Sequence, residues 1–394
     1  MTRISAVRRV ATAALAALFW GALFALAQTY VLYGALLGAL AGRSEPESDR
    51  NQNHEYPTVT LVIAAYNEEG VIAEKIENSL ELEYPDDKLE VVVFSDASSD
   101  RTDEIVASYA DRGVELRRIE GRVGKTACQN AVVEDCDSEV VVFSDANGMY
   151  EPDAIERLVE RFEPGVGCVV GELRYREAGV EGESVYWRYE RRLRTLESRI
   201  GTLVSGNGSI YAVRRSSYVP LDSDEISDFA ELLAVIETGE RVTYAPEAIA
   251  WEDTGDSVDS EFDRRVRITT RAWHTLVRYP SLLDPVARPR VAFQLTSHKL
   301  LRWLSPVFLG IAFLANVGLV ALGAGWLYAL SLVGQTACYA LAGVGGLAER
   351  TGRPTGRLVS IPYYFLSSNY AMALGLKNFL AGRNVVTWET VERE

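Results

Sequence analysis

The heptapeptide VVVFSDA occurs twice, at 91–97 and at 140–146, and each copy ends an apolar run on an aspartate, Asp96 or Asp145. In an open α/β sheet the ligand crevice lies outside the carboxyl ends of the strands. Two parallel strands of equal length therefore present two carboxylates along one rim. A single Asp after a strand is most simply a helix cap; two identical heptapeptides followed by different loops, SSDRT and NGMYEP, point to a shared crevice. The second copy also carries Asn147, so alternate side chains offer oxygen to a hard cation such as Mg2+ or Mn2+. A cation held there neutralises the charge that develops on a diphosphate leaving group. An Asx turn before a helix is the competing reading for Asn147.

Other short motifs are weaker. GKT at 124–126 ends like a P-loop, but that loop needs four residues between its first glycine and the GK pair. Only Arg122 and Val123 separate Gly121 from Gly124, too few to wrap a phosphate chain. Lys125, at the start of a helix, remains a candidate anion contact. In SGNGSIYAVRR, Gly206 and Gly208 flank Asn207, which lets backbone approach a ligand closely and equally suits a hairpin turn. Cys128, Cys136, Cys168 and Cys338 form no CxxC pair and the three histidines are scattered, so neither a disulfide frame nor a zinc site is indicated.

The elements that must position these residues alternate. TVTLVIAA, LEVVVFSDA, VELRRIE and SEVVVFSDA read as strands; EEGVIAEKIENSLEL, DRTDEIVASYA, GKTACQNAVVE and EPDAIERLVERF read as helices. Ser99 or Asp100 suits the cap of the second helix, and Pro152 the first turn of the fourth. Strands apolar on both faces and separated by helices imply a doubly wound, mostly parallel sheet.

Both ends of the chain belong to a membrane. From Val10 to Gly42 there is no charged residue, longer than the ~20 residues a spanning helix needs. The run reads as one tilted span, with a pair of short helices as the lesser alternative. After Arg302 a second apolar block is long enough for two spans joined near 323–326, and a third, at 358–382, either spans or lies in the interface. The expected organisation is an anchor and linker over 1–54, a soluble domain over 55–285 and a membrane region over 286–394. The aromatic and basic helix at 182–201 suits a membrane surface. Nearly all the acid lies between Glu45 and Asp284, and the net charge of −15 makes nucleic acid an unsuitable partner. With Lys75, Lys88, Lys125, Lys299 and Lys377 the only lysines, the acidic surface suits high intracellular salt.

AAYNEE, FSDASSDRT, GKTACQN and FSDANGMYEP, in this order and at these spacings, resemble the membrane-bound family 2 glycosyltransferases with a GT-A fold, over about residues 57–279. HKLLRWLSP before the second membrane block resembles them as well. The resemblance implies a nucleotide-sugar donor bordered by Asn67 and Glu68, with Asp96 at the base or ribose edge and Lys125 near the nucleotide. It implies a divalent cation, Mg2+ or Mn2+, on Asp145 helped by Asn147. The family usually has Asp-x-Asp there, and a neutral Asn binds the metal more weakly.

DSDEISDF is similar to the family's acidic motif, which implies Asp228 as general base; the first residue of the usual acidic pair is Ser227, and Asp224 and Glu225 crowd the same turn. Gly206, Asn207 and Gly208 resemble the acceptor-side loop. Arg264 and Arg267, at helical spacing, occupy the place of the Gln-x-x-Arg-Trp motif of processive members, where guanidinium groups grip pyrophosphate. Gln and Trp are absent, since Ile268 follows Arg267, which favours transfer of one sugar. The same helix can instead lie on anionic headgroups through Arg264, Arg265, Arg267 and Arg271. The expectation is thus an inverting, membrane-anchored transferase acting on a lipid-linked glycan or surface polysaccharide, its catalytic domain cytosolic. A processive synthase and a non-catalytic nucleotide-sugar-binding subunit are the alternatives.

Overall fold

A computed structural model describes residues 2–42, 55–176, 181–253, 258–353 and 355–383. Its centre is an eight-stranded sheet: β1 (Val59–Ala65), β2 (Leu89–Asp96), β3 (Val114–Ile119), β4 (Val140–Asp145), β5 (Met149–Tyr150), β6 (Val166–Tyr175), β7 (Tyr211–Arg214) and β8 (Arg241–Glu252). The spatial order is β3-β2-β1-β4-β7-β6-β8-β5. The first four strands are mutually parallel, β7 runs antiparallel to both β4 and β6, and β6 and β8 are parallel to each other. The sheet is therefore mixed.

Both faces are covered, as the uninterrupted apolar runs require. Leu61, Ile63, Val91, Val93 and Val142 point to one face and pack with Ile72, Ile76, Ile155 and Leu158. Val62, Ala64, Val92, Phe94, Val141 and Phe143 point to the other, with Val132, Val133, Leu232 and Leu233. Each such side chain contributes roughly 1.5–3 kcal/mol on burial, so the rim carrying Asp96 and Asp145 stands on the most heavily buried part of the fold. The fourth helix begins only at Ala154, which leaves Pro152 in the turn ahead of it.

The N-terminal run forms one helical rod, Ala6–Ala41, long and apolar enough to cross a membrane, with a π turn at Gln28–Leu32. Trp326–Arg350 is also long and apolar enough to cross a membrane. Pro289–Trp303 and Ser305–Ala321 meet at a 63° bend and qualify as a third span only if taken together. Arg357–Leu380 does not reach that level among the described helices. Gly318 lets Ser305–Ala321 approach the rod, where an added Cβ would lie 2.8 Å from Leu15 Cδ1. The joint between the last two apolar helices of the second block uses Gly323 and Gly325, both at positive φ.

The two helices expected at a lipid surface also make protein contacts. The helix Glu181–Ile200 docks Leu193 and Leu196 on Tyr33, Leu37 and Ala41 of the rod. The helix Val258–Leu276 packs on Arg357–Leu380, where Arg265 donates to Ser368 Oγ (2.7 Å) and Tyr364 OH (2.9 Å). Arg271 is buried and donates to the carbonyl of Glu225, so neither arginine is spent on headgroups.

Candidate active site

β1 lies between β2 and β4, with Ala65 in register with Ser95 and Ala64 with Asp145. Asp96 and Asp145 thus end on the same rim, about two strand spacings or roughly 10 Å apart. Their surroundings differ. Asp96 is fully buried and accepts from Val123 N (2.8 Å) and Gly124 N (3.1 Å), so its carboxylate holds the GRVGK loop. That loop turns through positive φ at Gly121, Arg122 and Gly124, and sets the Arg122 guanidinium 3.1 Å from the centroid of the Tyr66 ring. Asn67, at φ 51°, accepts from Ser99 N (2.8 Å); Glu68 N donates to Thr102 Oγ1 (2.8 Å) and Glu69 N to Asp100 Oδ2 (3.0 Å). The AAYNEE and SSDRT turns are thereby stapled into one edge of the crevice.

Asp145 is one third exposed. Lys125 Nζ is bonded to its Oδ1, and Ser209 Oγ donates to its Oδ2 at 3.3 Å. Ser209 also bonds Glu252, the acid that ends β8, so two carboxylates flank one hydroxyl. Burial, then the negative charge of Asp145, raises the Glu252 carboxyl above its ordinary pKa, against the opposing pull of Ser209, Arg264 and Lys125. Behind them Lys75 is wholly buried, bonded to the Gly148 carbonyl and 3.9 Å above the Tyr150 ring. Burial lowers its pKa to about 7, and Asp145 and Glu252 oppose the shift.

Asn147 is half-buried beside this group. Among the described residues no three His, Cys, Asp or Glu side chains are arranged to hold an ion alone. Asp145 and Glu252 meet on one serine and offer the one or two carboxylates that Mg2+ or Mn2+ takes, such ions completing their shell with water and substrate phosphate, and Asn147 follows two residues after Asp145.

Asp228 stands opposite, in the first turn of the helix Ser227–Thr238. It is not the N-cap: Ile226 holds that place and makes no side-chain cap bond. Of the three acids in this turn, Asp224 forms a two-pronged pair with Arg278 (2.6 and 2.9 Å) and Glu225 accepts from Asp222 N (2.9 Å). Asp228 Oδ1 is buried with no hydrogen-bond partner, as is Glu225 Oε1. Burial is the main cause of its raised pKa; Asp145 adds to the shift, and Lys125, Arg271 and Lys299 oppose it.

The loop 205–209 closes the site. A Cβ added at Gly208 would lie 3.1 Å from Lys125 Nζ, 3.5 Å from Asp145 Oδ2 and 3.7 Å from Asp228 Cβ, so this glycine is where the three groups converge. At Gly206 the added atom would lie 2.6 Å from the Asp228 carbonyl oxygen. Asn207 is buried and holds the loop by donating to Gly171 O (3.0 Å) and accepting from Ser209 N (3.2 Å) and Ile210 N (3.0 Å). Arg264 and Arg267 are half-buried on Val258–Leu276, close enough for Arg264 to act on Glu252 and Arg267 on Arg271. Glu252, Lys75, Arg271 and Tyr66 are additions to the site. Only Glu252 had a readable signal, an acid at the carboxyl end of an apolar run.

A mixed sheet with this rim defines a GT-A fold. Over 95% of the chain and 99% of the other, the structure matches a mannosyltransferase from Pyrobaculum calidifontis solved in complex with GDP-Man and Mn2+, with a TM-score of 0.71 and 22% identity. Residues 60–219 match the Glycosyl transferase family 2 model, and the chain carries a domain of that family. A probable glycosyltransferase of Bacillus subtilis is 26% identical over 62% of either chain. A beta-monoglucosyldiacylglycerol synthase of Trichormus variabilis is 32% identical over 45% of this chain and 38% of its own. A poly-beta-1,6-N-acetyl-D-glucosamine synthase of Staphylococcus aureus is 27% identical over 57% of both. The chain thus spans less than two thirds of the length of these curated relatives.

Proposed function

We propose that the chain is a membrane-anchored inverting glycosyltransferase that moves one sugar from a nucleotide diphosphate donor to a hydroxyl of a membrane-borne acceptor. The observation that carries this reading is the convergence of Lys125, Asp145 and Asp228 on Gly208, with one buried Asp228 oxygen left unpartnered. A sugar hydroxyl is a poor nucleophile at neutral pH. Asp228 takes its proton as the oxygen attacks the anomeric carbon; the bond from that carbon to the diphosphate breaks, and the diphosphate leaves with the electron pair. Crowding by burial and by Asp145 raises the proton affinity of Asp228, which suits a base.

On the donor side, Asn67 and Glu68 order the edge that borders the nucleoside, and Asp96 acts on the base or ribose edge through the loop it holds. Tyr66 and Arg122 offer a stacking face there. Asp145, Asn147 and Glu252 would hold the divalent cation, which when bound supplies charge neutralisation to the diphosphate. Lys125, Arg264 and Arg267 meet the remaining phosphate charge. Gly206, Asn207 and Gly208 border the acceptor. The domains divide at 1–54, 55–285 and 286–394, and the soluble domain faces the cytosol, where nucleotide sugars are. Arg350 and Arg353, two helices further on, agree with that orientation under the positive-inside rule; Arg8 and Arg9 oppose it.

The relatives' names divide between a glycolipid and a polysaccharide product. The missing Gln-x-x-Arg-Trp motif favours single transfer over processive synthesis. The test is to incubate membranes containing the full chain with a panel of radiolabelled nucleotide sugars. Label entering a lipid-extractable or glycan product one sugar at a time is expected. Long chains from single encounters would make it a processive synthase, and donor binding without transfer would make it a binding subunit.

A further inference from the structure

We infer that a buried hydrogen-bonded chain running from Tyr33 through Glu197 and His298 to Glu190 and Arg302 positions the loop beside Asp228 from within the membrane-bound part of the protein. All five side chains are buried, with Tyr33, Glu197 and His298 inaccessible to solvent. Tyr33 OH donates to Glu197 Oε1 at 2.5 Å, and His298 Nδ1 lies 2.7 Å from the same oxygen. His298 Nε2 lies 3.2 Å from Glu190 Oε2, and Arg302 bonds the other oxygen of Glu190.

Three elements meet here. Tyr33 belongs to the N-terminal rod, Glu190 and Glu197 to Glu181–Ile200, and His298 and Arg302 to the bent segment that leads into Ser305–Ala321. The network continues into the loop. Glu197 Oε2 accepts from Val204 N (3.4 Å), Gln294 Nε2 donates to Thr202 O (2.8 Å) and Lys299 Nζ donates to Ser205 Oγ (2.9 Å). The next residue is Gly206, which touches the Asp228 backbone, and two further is Gly208, at the convergence of the site. A shift of the membrane helices is thus passed to the acceptor side of Asp228 and not to the donor edge built on β1 and β2.

Charged groups are costly to bury, and a well-packed apolar set is often at least as stable. What the polar chain adds is directional: each bond fixes an angle between helices that apolar packing leaves softer. Tyr33, Glu197 and His298 are accordingly positioning residues.

The kinetic part of the test rests on the transfer reading above; the structural part does not. Full-length protein in lipid nanodiscs is compared by amide hydrogen exchange with Tyr33→Phe, which removes one hydroxyl, and His298→Phe, which keeps a ring and removes both ring nitrogens. In Tyr33→Phe, exchange over 203–206 is expected to rise about fivefold, the worth of one hydrogen bond, while β4 keeps its rate. His298→Phe is expected to exceed this. Acceptor KM should rise in the same order, with donor-nucleotide affinity unchanged. Unaltered exchange over 203–206 in Tyr33→Phe overturns the inference, as does protection lost equally from β4 and the loop, the mark of a merely structural role. If His298→Phe does not fold, Tyr33→Phe decides alone. A wild-type protein without transfer refutes the proposed function, and the exchange result still decides the positioning role.

Discussion

Two groups of acids lie close together in this molecule and are treated in opposite ways. At the membrane joint, Glu190 and Glu197 are saturated, each oxygen met by Arg302, His298, Tyr33 or Val204 N. On the rim, Asp228 keeps a buried oxygen unbonded, and Glu252 and Asp145 share a single serine. An unsatisfied buried carboxylate oxygen costs about 1–3 kcal/mol. Asp103, Glu225 and Glu231 bear the same cost, and of these acids it is Asp228 that adjoins the convergence at Gly208, while Glu190 and Glu197 at the helix joint avoid it. Asp96 and Asp145 repeat the contrast within one motif: identical heptapeptides end in one aspartate spent on backbone amides and one open to the crevice.

That contrast can be broken by substitution. Removing the unspent acid should cost most: Asp228→Asn is expected to lower kcat on the order of 10²–10⁴-fold, measured with labelled donor, with nucleotide affinity retained. Next is the cation. Chelation, or Asp145→Ala, should remove most of the turnover, restored to the chelated wild type by Mg2+ or Mn2+ and not to Asp145→Ala; the charge neutralisation lost is worth several kcal/mol. Gly208→Ala places a methyl 3.1 Å from Lys125 Nζ and between the two acids, and a displaced group there is expected to cost on the order of tenfold to a hundredfold in kcat/KM, with the melting temperature little changed. The smallest effect belongs to a spent acid outside the crevice. Asp224→Asn breaks a partly exposed pair with Arg278 and should change stability by less than about 1 kcal/mol and leave kcat alone. An Asp224→Asn loss as large as that of Asp228→Asn would erase the distinction between the two groups.

The sequence was legible where local pattern and function coincide. β1 to β4 and the helices between them follow from apolar runs and their spacing, and the repeated VVVFSDA located the rim because strand ends are where α/β sheets bind. Which aspartate remains available was not legible, since the partners of Asp96 come from a loop 27 residues away. The insertion of β7, four residues long and antiparallel between β4 and β6, has no local signature either; pairing order is a tertiary outcome. Lys75 reads only as one of five lysines and Arg271 as one of the headgroup arginines, and the burial of both depends on what packs over them. Three acids in the turn before Phe229 could not be ranked by type alone. The structure separates Asp224 by its pairing with Arg278, and Asp228 from Glu225 by its place beside Gly208, since each of the latter two keeps one buried oxygen unpartnered. Of the four arginines expected on headgroups, Arg265 is taken up by Arg357–Leu380 and Arg271 by the Glu225 carbonyl, and the sequence pattern says nothing of where these elements dock.

The most direct measurement is the pH dependence of kcat for wild type and Asp228→Asn, the latter from its residual turnover. Burial raises the proton affinity of Asp228, so wild-type kcat should fall as pH drops through an ionisation above the usual aspartate range, and Asp228→Asn should lack that acid limb. An acid limb that survives unchanged in Asp228→Asn would assign the proton to another group and contradict the account.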